Sequence, residues 1–184
     1  FYQISIMVIY IPQNIDPYNT HLKNLIDAYK LKGVEVLTGY DFFISGIKIP
    51  DIIHFHQVEG LIWYIKFNQE LFFKQLGFFK SKGVIFLATA HNLKPHYNTG
   101  KINFADFFNK YFGYIDMVIN HGKKSVDILK KEYPVLNNTK HLVCHHGDYL
   151  NDMSGFHETR DSARKRLKLS VDKKIILVFG QLQF

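Results

Sequence analysis

Short runs of consecutive apolar residues recur along this sequence, and nearly every one is followed by a segment with helical spacing. The runs are "ISIMVIYI" at 4–11, "VEVLT" at 34–38, "DIIHFH" at 51–56, "VIFLATA" at 84–90, "DMVIN" at 116–120, "HLVCHHG" at 141–147 and "KIILVFG" at 174–180. A strand that is apolar on consecutive residues has no face to offer water, so it belongs in a parallel sheet covered on both sides. Between the runs, segment 18–32 places Leu22, Leu25, Ile26 and Tyr29 on one helical face and stops at Gly33. A long helical pattern occupies 59–81 and closes at Gly83, with shorter ones at 103–113, 123–132 and 159–168. The alternation predicts an α/β fold: a Rossmann-like, doubly wound parallel sheet.

Composition narrows the partners. With 47% hydrophobic and 21% charged residues the chain can bury a core and is not a disordered tract. Its single cysteine, Cys144, excludes an intrachain disulfide and a Cys-rich zinc site, and fits a reducing, cytoplasmic setting. A formal charge of +7 favours anionic partners such as acidic headgroups or phosphorylated substrates. No apolar run reaches the ~20 residues needed to cross a bilayer. The opening "FYQISIMVIYIP" lacks a basic leader and a cleavage site and reads as a strand.

Ligands of doubly wound sheets bind outside the carboxyl ends of the strands. Residues 14–18, 54–59, 89–96, 120–124 and 145–148 all follow predicted strands and should gather on one rim. Within "TAHNLKPHYNTG" (89–100), strand alternation points Thr89 and His91 the same way and Ala90 the opposite way. A neutral imidazole there can exchange hydrogen bonds with a sugar hydroxyl, or simply cap the strand end. His54 and His56 also share a face. Several histidines raise the question of a metal, yet no HExxH, no Cys partner and no zinc spacing accompanies them, so no metal site is expected.

Nucleotide signatures are missing: neither GxGxxG nor GxxxxGKS occurs, which argues against a dehydrogenase or a kinase. "HGKKS" at 121–125 can offer helix amides and lysines to an anion, or be an ordinary solvated helix start. In "LIWYIKFNQELFFKQLGFFKSK", aromatics interleave with Lys66, Lys74, Lys80 and Lys82. Such a segment suits an anionic membrane surface, but a two-faced core helix is the preferred reading. The basic residues are dispersed and match no nucleic-acid module, so no nucleic-acid partner is expected.

Five segments in the same order resemble the amino-terminal half of a family-4-type glycosyltransferase of GT-B architecture. "TAHNLKPHY" at 89–97 is similar to that family's T-V-H-N-x-x-P-H-E, and "DIIHFH" to its D-(I/V)-(I/V)-H-x-H strand. "NIDPYNTHLKNLIDAYKLKGVEV" resembles its first helix, and "IDMVINHGKKSVDILKKEYP" with "HLVCHHGDYLND" the strands before its interdomain linker. "ARKRLKLSVDKKIILVFGQLQF" resembles the entry to its second domain. The pattern departs at Tyr97, where the family has Glu, and at Asn14 and Asp16, where it has a Gly-rich turn.

The resemblance implies an acceptor-side domain at 1–157, then a linker helix and the first strand of a truncated nucleotide-sugar-binding domain at 158–184. It implies retaining transfer of a sugar from a nucleotide sugar to a glycan or lipid-linked saccharide, as in polysaccharide biosynthesis, without a metal, in the cytoplasm or peripheral to the membrane's inner face. His91 and Asn92 would be catalytic. Asn14, Tyr18, His56, Glu59, Thr89 and His96 would bind acceptor, and His121, Lys123 and Gly180 would face the donor phosphates. The nucleotide sugar itself would be held by the second domain. A non-catalytic sugar- or partner-binding α/β module, or a sugar-nucleotide epimerase of the same architecture, are the alternatives.

Overall fold

The apolar runs pair into a six-stranded sheet with every neighbour parallel, in the order β2-β1-β3-β4-β5-β6. The strands are β1 (Val8–Ile11), β2 (Glu35–Thr38), β3 (Ile52–Phe55), β4 (Ile85–Ala90), β5 (Met117–Asn120) and β6 (Lys140–Val143). The structure is a computed structural model that describes residues 6–16, 19–46, 48–93, 100–147 and 158–176. The architecture is α/β and Rossmann-like. Because β1 pairs with β2 on one side and β3 on the other, successive connections leave β1 and β3 in opposite directions. That point of reversal opens a crevice at the carboxyl ends of the strands.

Helix α1 (Thr20–Leu31) starts where the Asn19 side chain accepts from the Leu22 amide and ends before Gly33, whose φ of 75° suits glycine. Its Leu22 and Ile26 pack on Ile9 and Ile11, with Leu25, Tyr29 and Ile52 alongside. The other sheet face is far richer. Ile53, Phe55, Phe86, Ala88 and Val118 project into a cluster with Phe72, Phe79, Phe107 and Tyr111 from the covering helices. Many of the rings meet edge-on or tilted, as Phe55 does against Phe86 (5.8 Å between centroids) and Phe72 against Phe107 (5.2 Å), while Phe107 stacks on Tyr111. Each such fully buried side chain contributes roughly 1.5–3 kcal/mol relative to exposure.

The helical pattern at 59–81 proves to be two helices, α3 (Val58–Tyr64) and α4 (Gln69–Ser81). Lys66 and Phe67 take left-handed backbone (φ 54° and 62°), which breaks the ladder. Asn68 then caps α4 by accepting from the Leu71 amide. Spacing did not reveal the break, because Phe67 packs on the core and keeps the apolar rhythm going. The aromatic stripe of α4 faces inward through Phe72, Phe73, Leu76 and Phe79, as a core helix should. A short helix, α2 (Asp41–Ser45), buries Phe43 and was not foreseen; nor was the 3-10 turn Pro134–Asn138.

Helix α5 (Phe104–Phe112) is capped by Asn103 and α6 (Lys123–Glu132) follows β5. Residues 141–147 form a strand only as far as Val143. Contacts divide the chain into units Phe1–His146 and Gly147–Phe184. In the second, α7 (Arg160–Arg166) is capped by Thr159, and Arg166 pairs with Glu158 (2.8 Å). All residues of α7 are at least partly exposed, as its basic composition predicts. Residues 174–176 carry no regular structure, and the rest of the strand expected at 174–180 lies outside the described residues. Among the described residues no helix is long and apolar enough to cross a membrane.

Candidate functional site: a histidine rim at the strand ends

Parallel strands bring their carboxyl ends to one edge, and here that edge is lined with imidazoles. His56 follows β3, His91 follows β4, His121 follows β5 and His146 lies beyond β6. His21 enters from the first turn of α1, which starts at the same edge because it follows β1. Ring centroids lie 4.9 Å apart for His21–His56, 4.2 Å for His56–His91 and 5.1 Å for His91–His121. His146 completes the circuit at 4.8 Å from His121 and 4.5 Å from His21. The crevice of the reversal point lies between β1 and β3, whose following residues supply His21 and His56.

One level below, His54 is fully buried and fully bonded. Its Nδ1 lies 3.0 Å from the Tyr29 hydroxyl and its Nε2 2.7 Å from Thr89 Oγ1. If Tyr29 donates to Nδ1, the Nε2–H donates to Thr89, and the threonine's own proton is left for another acceptor. His54 is therefore a structural residue that orients Thr89. As alternation predicts, Thr89 turns to this face, while Ala90 packs against the aromatic cluster on the other.

His56, Glu59, Thr89, His91 and Asn92 line one open pocket with Phe108, Tyr111 and Phe112 of α5. Five of the residues read from sequence thus meet in one place. His121 stands beside His91, and its Nδ1–H donates to the Cys144 carbonyl at 3.0 Å. Asn14 is exposed on the same edge, its Oδ1 facing Gly39 just past β2. Lys123 is the exposed first residue of α6, following Gly122, which provides no side-chain cap. Tyr18, His96 and Gly180 lie outside the described residues.

Burial favours the neutral form of four of these imidazoles, His21, His54, His56 and His91. Desolvation first, and then neighbouring His91 and His21, push His54 down to about 3. Desolvation and then chiefly His91 take His56 to about 2. Desolvation, then His121, His21 and His146, take His91 to about 4. His21 is lowered too, by burial and then by His146 and His121. Crowded imidazoles cannot all carry charge, so near neutral pH these rings offer lone pairs and N–H groups rather than cations. Tyr111, at the pocket wall, is raised well above the usual range by burial, the Glu59 carboxylate adding to the shift.

Among the described residues three buried side-chain atoms lack a hydrogen-bond partner: Gln13 Oε1, Asn120 Oδ1 and His121 Nε2. Gln13 follows β1, Asn120 ends β5 and His121 comes next, so all three lie at the same edge of the sheet. Buried polar atoms are seldom left unpaired in a scaffold, and their concentration at one rim makes that edge the candidate site.

The sequence reading missed His21, and it carried His146 only within the rim segment 145–148, without singling it out as a site residue. His21 sits inside the helical pattern 18–32, where a polar residue beside Leu22 reads as a solvated position. The usable signal was topological: a helix that follows a strand begins at the carboxyl rim, so its first turn faces the site. No family model matches the chain, and no curated protein matches it.

Proposed function

We propose that this chain is the acceptor-side half of a retaining glycosyltransferase that moves a sugar from a nucleotide sugar to a glycan or lipid-linked saccharide. The observation that carries the reading is the joint pocket of His56, Glu59, Thr89, His91 and Asn92 at the carboxyl rim, assembled from the segments whose sequence resembles the family. His91, neutral at physiological pH, can hydrogen-bond the transferred sugar without adding a competing positive charge. Asn92 and the His54-oriented Thr89 position it, with the aromatic wall of α5 providing an apolar surface for a pyranose ring. His56, Glu59, Asn14, Tyr18 and His96 serve the acceptor.

In this reading His121 and Lys123 serve the donor phosphates, which a second domain binds, and Gly180 keeps only the donor-side role that the family resemblance implies. Backbone N–H groups at the start of α6 suit an anion. In this chemistry the departing phosphate is stabilised electrostatically, and the transfer step itself requires no metal. The test is a transfer assay of the complete reading frame with a panel of UDP- and GDP-sugars and saccharide acceptors. His91→Ala is expected to lower kcat by ~10²-fold or more, the loss typical of one positioned polar group. Unchanged turnover in that variant would return His91 to a strand cap.

A further inference from the structure

Three histidines of the rim, His21, His56 and His91, each offer a ring nitrogen, and these nitrogens all lie within 4.8 Å of one another. His91 Nε2 is 2.9 Å from His56 Nε2 and 3.3 Å from His56 Nδ1, so the wider separations are those to His21. That packing can satisfy only one of the two His56 nitrogens. A neutral His91 Nε2 has either one proton or one lone pair, and can properly serve only one of the two His56 nitrogens. His56 is only 4% exposed. Among the described residues neither of its nitrogens has another hydrogen-bond partner at hand. His54, one turn of the strand below, shows the contrast: hydroxyls satisfy both its nitrogens.

We propose that His21, His56 and His91 form a binding site for one divalent transition-metal ion of the zinc type. Three imidazoles from three separate elements (the first turn of α1 and the ends of β3 and β4) match the three-ligand, open-position arrangement that zinc accepts. Tetrahedral bonds of about 2.0–2.1 Å set ligand nitrogens roughly 3.3 Å apart. The His56–His91 spacing is already near this value, and the partly exposed His21 ring can turn to close the rest. Magnesium and calcium prefer oxygen, which these three side chains do not provide.

A second observation points the same way. His121 donates through Nδ1 to the Cys144 carbonyl and leaves Nε2 buried without a partner, 5.1 Å centroid to centroid from His91. A backbone carbonyl on one ring nitrogen is the arrangement that fixes a metal-binding histidine with its other lone pair forward. His121 is thus placed to support or complete the site. The inference stands on imidazole geometry and does not rest on glycosyl transfer; with a metal held through Nε2, His91 keeps only its Nδ1–H for the transferred sugar.

The experiment uses tag-free protein stripped with a chelator. Zn²⁺ is titrated in competition with a chromophoric indicator, and Co²⁺ is followed by its visible ligand-field bands. One ion per chain at micromolar concentration, with a raised thermal midpoint, is expected. His21→Ala and His91→Ala should each weaken binding by ~10²-fold or more, since even loss of an outer partner costs up to that much. Both residues are only partly buried, so cooperative melting of these variants is expected and is checked first. His145→Ala, at an exposed position outside the trio, should bind as the wild type does. No binding at micromolar metal, or wild-type binding by the His21→Ala/His91→Ala double variant, overturns the site.

Discussion

The two faces of the central sheet are built from the same strands but to different ends. On β3, Phe55 enters the aromatic cluster while His54, one residue earlier, points to Tyr29 and Thr89 on the other side. On β4 the pair is Ala88 and Thr89. The first face is sealed by a continuous set of phenylalanines from α2, α4 and α5. The second has a small aliphatic cluster under α1, and histidines above it toward the rim. Buried apolar side chains are concentrated on the first face, whose α5 rings also wall the rim pocket, and histidines accumulate on the second, where the apolar cover is thin. A rim proposed to exchange ligands is not expected to be packed like a core.

The largest expected effect lies on the aromatic face. Phe72→Ala removes a fully buried ring that touches Phe43, Phe55, Phe107 and Tyr111, and should cost ~3–5 kcal/mol in a urea or guanidinium titration. A loss below ~1 kcal/mol would mean that the face is loosely packed and the contrast between the two faces is overstated.

Acid should attack the other face. His54, His56 and His91 have folded pKa values below the ordinary histidine value of about 6.5. Between those values the unfolded chain binds protons that the folded chain refuses, so stability is full above about pH 6.5 and declines as pH falls toward the 4-to-2 range. Each proton taken up only on unfolding lowers stability by about 1.4 kcal/mol per pH unit. Denaturation midpoints at pH 7.5, 6.5, 5.5 and 5.0 measure the slope. Flat midpoints through this range would show that the cluster protonates in the folded state.

Thr89→Val is the smaller perturbation. It keeps the shape but deprives the buried His54 Nε2 of its partner, at a cost of ~1–3 kcal/mol. Thr89→Ser should recover most of the loss. If valine is neutral, the Tyr29–His54–Thr89 chain does not hold the rim in place.

How much of this was legible beforehand follows from what each element's sequence had to satisfy. β4 and β5 bury one face fully and the other only in part, yet stay apolar at nearly every position, so "VIFLATA" and "DMVIN" announced them within a residue or so of their bounds. The Asn19 and Asn103 caps and Gly33 likewise left chemical marks at helix ends. The break at Lys66–Phe67 left none, because a left-handed turn made by Lys and Phe mimics helical spacing. α2 spans only five residues, too few to show a period. At the site, alternation correctly paired Thr89 with His91, and strand ends pointed to His56 and His121. The meeting of His21 with His56 depends on strand order, since only the reversal between β1 and β3 brings α1's first turn beside the end of β3. No local pattern encodes that.

The most direct test of the division between a stabilising face and a working rim is one variant with two readouts. His91→Ala in the complete reading frame is assayed for sugar transfer and, in parallel, for its denaturation midpoint. The account predicts that turnover falls by ~10²-fold or more while stability stays within ~1 kcal/mol of wild type. If stability instead falls as far as in Phe72→Ala and turnover merely tracks the folded fraction, His91 is part of the scaffold and the rim is not the working end.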